Sequence, residues 1–373
     1  MVNKPLPANP GKIVLLNPTK YLGNLLLAGG LMQAFATFCE KNHIECRIVL
    51  DASFRELCEG SFPSGVVIWF PRRTINRAGP LQKLLLYRQT LRTLRRFKAD
   101  IAFNIEEDSA TSHLTRLSGA RFKLGCSPIR HKRGYDHVLP VAFENRKPGQ
   151  THRWHSFYEV FAALGMPSPK PGYIDLRLPA LSKPLHTRLE KAGWDSRTHT
   201  IALHAGATKE YKKWPLPYFI RLTEKMTATG FQVVLLGAGE DDQRANRAIL
   251  DSLAEENKPV DLCNKILLFE LAQFLPRCEA MVGNDSGPFH LGSALGVKGY
   301  VLWGPTNRAI WGPLGHQCEV ITGQLDCDPA CNKGACLHNH RCLQSLDPDT
   351  VFERVINGTP HAVSEKFNTN EKL

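Results

Sequence analysis

Apolar residues in this chain come in short, nearly continuous runs separated by longer stretches of helical periodicity, and the alternation occurs twice. The first run is Lys12-Ile-Val-Leu-Leu-Asn17. Aliphatic residues at every position, rather than at every second one, predict a strand covered on both faces. A loop follows, Pro18-Thr-Lys-Tyr-Leu-Gly23, and then Leu25 to Phe38 reads as a helix. Further strands are expected at Glu45–Leu50, Gly65–Phe70 and Asp100–Ile105. Strands alternating with helices predict a parallel sheet with helices on both sides.

A proline-containing stretch, Lys170–Pro184, interrupts the pattern and is the expected linker. The alternation then restarts. Thr200-Ile-Ala-Leu-His204, Phe231–Leu236, Val260–Cys263, Ala280–Val282 and Gly299–Trp303 read as strands, with helices at Leu216–Thr229 and Asp241–Glu255. The expectation is therefore α/β, with two doubly wound parallel-sheet domains at residues 1–175 and 185–358 and a tail at 359–373. Two such domains imply a cleft. Ligands of open α/β sheets bind outside the carboxyl ends of the strands, which points to the loops after Asn17, Ile105, His204, Leu236, Gly283 and Trp303.

Composition changes this picture little, but charge changes it more. At 43% hydrophobic and 22% charged the chain reads as an ordinary globular protein. No apolar run reaches the roughly 18 residues of a membrane span, and the first residues lack the apolar core of a signal peptide, so a cytoplasmic protein is expected. In that compartment the 11 cysteines are read as reduced thiols. Residues 1–180 carry 26 Lys and Arg against 13 Asp and Glu, whereas residues 181–373 carry 21 against 22. The excess of one half implies an anionic partner there, the plainer alternative being a solvated basic face. Within that half, Arg72 to Lys98 holds nine basic residues and no acid. Leu84, Tyr87, Leu91 and Leu94 recur at helical spacing among them, a basic amphipathic helix suited both to cover a sheet and to face anionic headgroups.

Two segments carry candidate chemistry. Gly283-Asn-Asp-Ser-Gly-Pro-Phe-His290 sits where a strand turns into a helix. The backbone N–H groups of Ser286 and Gly287 at such a turn suit a phosphate, and Asp285 could orient a sugar hydroxyl or simply cap the helix. His204-Ala-Gly-Ala-Thr-Lys-Glu-Tyr-Lys-Lys-Trp-Pro215 places small residues after a strand and then three lysines. Lys212 or Lys213, beside Trp214, suits a diphosphate, unless the loop is merely solvated.

Taken together and in this order, the segments resemble glycosyltransferase family 9, the lipopolysaccharide heptosyltransferases. The resemblance lies in Gly206-Ala-Thr208, Lys212-Lys-Trp-Pro215, Leu236-Gly-Ala-Gly239, Asp285-Ser-Gly-Pro-Phe-His290 and Trp303-Gly-Pro-Thr306 with Trp311-Gly-Pro313. It is firm over residues 200–355 and weaker over 12–165. It implies a GT-B-like fold, a basic first domain for the acceptor and a second domain for a nucleotide sugar. It implies inverting transfer of a heptose from ADP-heptose to a lipid-anchored, acidic core acceptor, at the cytoplasmic face of the inner membrane. Lys212 would contact the donor pyrophosphate. Thr208, Lys213, Gly237, Asp285, Ser286, Gly287 and His290 would line the donor site, with Glu240 or Asp241 near the nucleoside. Lys20, Arg88, Arg92, Arg95, Lys123, Arg130, Lys132 and Arg133 are candidates for the acceptor.

One departure stands out. The family's first loop reads Leu-Gly-Asp, with the aspartate as proposed base, and this chain reads Leu22-Gly23-Asn24. An amide cannot accept that proton, although it can still bind a hydroxyl. Either the protein is inactive and binds ADP-sugar or core without turnover, or Asn24 is an introduced substitution, or another carboxylate serves. Glu106, Glu107 and Asp108 follow a strand and are the replacement candidates.

A cluster of Cys327, Cys331, Cys336 and Cys342, with His338 and His340 inside it, could form a structural zinc or iron site, although its spacing departs from common metal knuckles. No cofactor is expected for catalysis. Two other classes fit less well. A nucleic-acid-binding protein explains the charge but not the phosphate-type turns in the acid-balanced half, and no aromatic-rich basic module is present. A nicotinamide oxidoreductase explains the sheets, but neither turn reads G-x-G-x-x-G with an acid about 20 residues on.

Overall fold

Lys12–Leu16 (β1) is the first strand, and the four aliphatic residues after Lys12 are all buried, as a strand sandwiched between helices must be. The computed structural model describes residues 4–105, 108–126, 134–141, 151–323, 336, 338 and 341–359. They divide into two compact units, residues 4–141 with 151–177, and residues from 178 on.

Unit 1 continues with Glu45–Asp51 (β2), Val67–Phe70 (β3), Ile101–Phe103 (β4), Phe122–Cys126 (β5) and His137–Leu139 (β6). These six strands are parallel and ordered β3-β2-β1-β4-β5-β6. The helices are Leu22–Lys41 (α1), Arg55–Cys58 (α2), Arg72–Arg77 (α3), Pro80–Phe97 (α4), Ser109–Leu117 (α5) and Arg153–Ala162 (α6). By length and composition α1 could cross a membrane, although the sequence holds no continuous apolar run of that length. Its apolar side chains are instead packed inside unit 1, with Phe35 against Phe103 and Phe161 at ring-centroid separations of 5.3 and 5.4 Å. The glycine pair Gly29-Gly30 lets the segment Gly172–Ile174 lie against α1. A Cβ at Gly29 would meet Ile174 at 2.5 Å, and one at Gly30 would meet the Tyr173 carbonyl at 2.7 Å.

Unit 2 repeats the order. Its strands are Thr200–His204 (β7), Gln232–Leu235 (β8), Val260–Asp261 (β9), Ala280–Asn284 (β10), Lys298–Trp303 (β11) and Cys318–Thr322 (β12), parallel and arranged β12-β11-β10-β7-β8-β9. The helices are Lys183–Lys191 (α7), Leu216–Ala228 (α8), Glu240–Ser252 (α9), Leu268–Phe274 (α10), Gly287–Ala294 (α11), Arg308–Trp311 (α12) and Pro348–Gly358 (α13). Counted from its own first strand, each sheet therefore runs 3-2-1-4-5-6, the order of dinucleotide-binding folds. In each, the strand order reverses between the first and fourth strands, the point at which ligands of such sheets bind. In unit 1 that point lies between β1 and β4, and in unit 2 between β7 and β10.

Two details differ from the pattern of apolar positions. Leu84 does not cover the sheet. Tyr87 and Leu91 pack on the unit 1 core and Leu94 is buried in it, but Leu84 is 54% exposed. Thr359, expected to begin the tail, is buried and donates to the Val355 carbonyl at 2.6 Å.

Candidate active site

β10 ends at Asn284, whose side chain is fully buried. Its amide nitrogen donates to the Ala205 carbonyl at 2.8 Å, and its amide oxygen accepts from the Trp214 N–H at 2.9 Å. These contacts hold both ends of the loop that leaves β7. Trp214 is itself buried, edge-on to Phe219, with its ring N–H donating to the Leu346 carbonyl at 2.9 Å. The lysines between thus project from a loop with fixed ends. A cavity of 740 Å³ opens beside it, lined by Glu210, Tyr211, Lys213, Trp214, Arg244 and Leu343 among others.

Lys212 Nζ donates to Asp285 Oδ2 at 2.6 Å, and Thr306 Oγ1 donates to the same oxygen at 3.0 Å. His290 Nε2 lies 3.7 Å from the other oxygen. Burial alone would push the Asp285 carboxyl up, but His290 and Lys212 outweigh it and hold the carboxyl at about 2. Asp285 is therefore a carboxylate at neutral pH, although its side chain is only 6% exposed.

Ser286 occupies the N-cap position of α11 without capping it. Its hydroxyl instead lies 3.1 Å from His204 Nδ1, and His204 Nε2 lies 3.4 Å from Asp242 Oδ2. Asp242 also accepts from the Ala238 N–H at 2.9 Å. Burial raises its carboxyl, but His204 and that N–H bring it below the usual range. A carboxylate can only accept, so the hydrogen in the Asp242–His204 contact is carried by Nε2. The backbone N–H of Gly287 opens α11 beside the Ser286 hydroxyl. Gly206 and Gly237 are both required by this arrangement, since a Cβ on either would run into Asp242.

In unit 1, Asn24 lies half-buried in the first turn of α1, directly after the β1 loop. Across the switch point, Asp108 caps α5 by accepting from the Thr111 N–H at 2.9 Å. Its other oxygen accepts from Arg72 Nη1 at 2.6 Å, and the same nitrogen donates to the Pro18 carbonyl at 2.6 Å. Arg72 thus ties the loop after β1 to the loop after β4. Asn17, at the head of the first loop, is buried with neither side-chain amide atom hydrogen-bonded.

A family model described as glycosyltransferase family 9 (heptosyltransferase) matches residues 87–340, well over half of the chain. The chain belongs to that family. Lipooligosaccharide heptosyltransferase 2 of Campylobacter jejuni is 29% identical to it over 191 residues, covering 50% of this chain and 59% of that one. The matched segment thus spans little more than half the length of this curated relative. Among solved structures, a family 9 glycosyltransferase of Veillonella parvula superposes with a TM-score of 0.75 at 19% identity, over 95% of this chain and 99% of that one. The structure titled E. coli ADP-heptose lps heptosyltransferase II gives 0.71 at 19%, with the same coverage. At that identity these likenesses speak for the fold.

In this family 9 chain, Lys212, Asp285, Ser286, Gly287 and His290 come together at the unit 2 switch point. Thr208 lies exposed on the same loop, Gly237 borders the site, and Lys213 pairs with Glu210 at 2.8 Å. Glu240 and Asp241 do not turn toward the site. They are 92% and 74% exposed in their side chains and pair with Arg244. The acid of α9 that faces inward is Asp242, one residue further on. Helical geometry explains the slip, since adjacent helix positions point about 100° apart. Asn284, His204, Asp242 and Arg72 have roles that the sequence motifs did not assign to them. Only their places at or near strand ends hinted at these roles.

In unit 1, Lys20 lies exposed over the Tyr21 ring at 5.1 Å, and Arg88 is exposed on α4. Glu106, Glu107, Arg130, Lys132, Arg133, Cys327, Cys331 and His340 lie outside the described residues. Cys336 and Cys342 are described and half-buried. Among the described residues, no three His, Cys, Asp or Glu side chains form a group that could hold a metal.

Proposed function

We propose that the chain is an inverting transferase that moves a heptosyl group from ADP-heptose to a hydroxyl of the lipopolysaccharide inner core. The observation that carries this is the Lys212–Asp285 pair at the unit 2 switch point, in a chain of a family described as heptosyltransferases. The relatives' names supply the donor and the acceptor.

Unit 2 holds the donor. As the bond from the anomeric carbon to the diphosphate oxygen breaks, negative charge grows on the departing ADP. Lys212 and the Gly287 N–H are the groups that meet it. Asp285 holds Lys212 in place through a 2.6 Å contact until the diphosphate shares the ammonium. The Ser286 hydroxyl, 3.1 Å from His204 Nδ1, hydrogen-bonds a sugar or ribose hydroxyl of the donor. Unit 1, which contains the basic excess, holds the phosphorylated acceptor. The protein works at the cytoplasmic face of the inner membrane, where that lipid-borne acceptor is presented.

The attacking hydroxyl must lose a proton, which Asn24 cannot take. In the transferase that proton passes to Glu106 or Glu107, the other carboxylates that follow β4 in the sequence. Asp108 is already engaged by Arg72 and by the α5 cap, which makes it an anchor. This is the observation that favours a second reading, a family member that binds ADP-sugar or core without turnover. ADP release from ADP-heptose, with core acceptor added or withheld, separates the two. Acceptor-dependent ADP release establishes the transferase, and donor binding without release establishes the second reading.

A further inference from the structure

Six large apolar side chains are exposed among the described residues, and three of them, Leu81, Leu84 and Leu85, fall within five positions of α4, exposed by 72%, 54% and 57%. The other face of this helix is satisfied. Leu86, Tyr87, Leu91 and Phe97 pack against the unit 1 core, and Thr90 and Leu94 are buried. At about 100° per residue, Leu81, Leu84, Leu85, Arg88, Arg92 and Arg96 share one outward stripe, with leucines at the N-terminal end and arginines beyond them.

The stripe is unusual in what surrounds it. No acidic residue occurs from Arg72 to Lys98, and Arg88, Arg92 and Arg96 form no ion pair with a described residue. Arg73 and Arg77 of α3, just ahead of α4, are also exposed. A solubilising helix would not place three leucines in water, and a nucleic-acid surface would not place them ahead of its arginines without aromatics to stack on bases. Apolar side chains at one end and unpaired cations on the same face fit a single occupant, an anionic lipid surface. The leucines would enter the acyl boundary while the guanidinium groups stay at the phosphates.

We propose that α4 docks this protein on an anionic bilayer through Leu81, Leu84 and Leu85, with Arg88 and Arg92 engaging lipid phosphates. Docking of this kind rests on the transferase reading only for which membrane is met, and it is read out without turnover.

The test is co-sedimentation of the full chain with vesicles of phosphatidylcholine alone and of phosphatidylcholine with 30% phosphatidylglycerol, at about 50 and 500 mM salt. Wild type is expected to bind the anionic vesicles at low salt, to release at high salt, and to bind the neutral ones far less. Replacing Arg88 and Arg92 by Gln should weaken binding on the order of 30-fold, at about fivefold per basic residue. The triple variant Leu81→Ser, Leu84→Ser, Leu85→Ser should lose binding while keeping the wild-type melting temperature and ADP-heptose affinity, since the donor loops lie in unit 2. Wild-type vesicle binding by the triple variant overturns the proposal. So do equal binding to neutral vesicles and a concentration-dependent dimer that the triple variant abolishes, the latter marking the stripe as a contact between copies. ADP release with soluble core acceptor, unchanged in the triple variant, keeps a failure of docking distinct from a failure of the transferase reading.

Discussion

Lys212 and Asp285 form a largely buried ion pair, 2.6 Å long, that joins the loop after β7 to the loop after β10 at the point where the unit 2 sheet reverses. The pair is poised for an anion. The Lys212 side chain is 21% exposed whereas that of Asp285 is almost wholly enclosed, so an incoming diphosphate meets the lysine first.

Replacing Lys212 by Gln should therefore harm turnover more than folding. Asp285 keeps Thr306 and His290 as partners, which limits the cost of losing one of them. Loss of a cation that meets charge developing in the transition state typically costs about 10²–10³ in rate. Steady-state kinetics should show a fall of that size in kcat/KM, with a melting temperature only a few degrees lower.

The depressed Asp285 carboxyl predicts an acid dependence of stability. Its folded value of about 2 lies below the roughly 3.9 of an unfolded aspartate, so its stabilisation is complete above about pH 4 and fades as pH falls toward 2. The full amount is roughly 2–3 kcal/mol on that difference. Urea midpoints of wild type and Asp285→Asn should differ at pH 6 and converge toward pH 2. A constant gap would show that Asp285 is not the titrating group.

His204 bridges Ser286 and Asp242 inside the same site. His204→Phe leaves the half-buried Asp242 carboxylate with the Ala238 N–H as its remaining hydrogen bond among the described residues. The expected loss is about 1–3 kcal/mol of unfolding free energy. Ser286→Ala removes a hydroxyl and leaves the ion pairs intact, so it should cost less in stability and raise KM for the donor more than it lowers kcat.

Asp108 and Asn24 give opposite expectations. With Asp108 as an anchor, Asp108→Asn frees Arg72 from its 2.6 Å partner and lowers the melting temperature, but reduces kcat/KM by less than about tenfold. Loss of a true base would cost about 10²–10⁴. Asn24→Asp installs a proton acceptor directly after the β1 loop and should raise kcat. Unchanged turnover would mean that position 24 does not face the reacting hydroxyl.

The doubly wound halves were legible because their central strands are covered on both faces and so read as unbroken aliphatic runs. β1, β2, β7, β10 and β11 appear within two residues of where those runs place them. The strands β5, β6 and β12 escaped notice. His137–Leu139 is three half-buried residues, and Cys318–Thr322 is an edge strand broken by Glu319 and Thr322, with one buried side chain. Within the site, the motifs pointed to Lys212, Asp285 and Ser286 because turn residues and lysines signal phosphate chemistry in one dimension. They could not show that Asn284 clamps both ends of the lysine loop, nor that Asp242 rather than its neighbours turns inward. Those facts depend on which side of a helix or strand a residue faces after packing. The same limit hid the exposed leucines of α4, whose helical spacing is indistinguishable from that of core residues until the sheet is seen to cover only the other face.

Mass spectrometry of truncated lipopolysaccharide acceptors, incubated with the purified full chain and ADP-heptose, tests the transferase assignment most directly. A gain of one heptosyl unit on a core acceptor, lost in the Lys212→Gln variant, is the predicted result. No gain on any inner-core acceptor, while ADP-heptose still binds and Asn24→Asp fails to restore transfer, would contradict it.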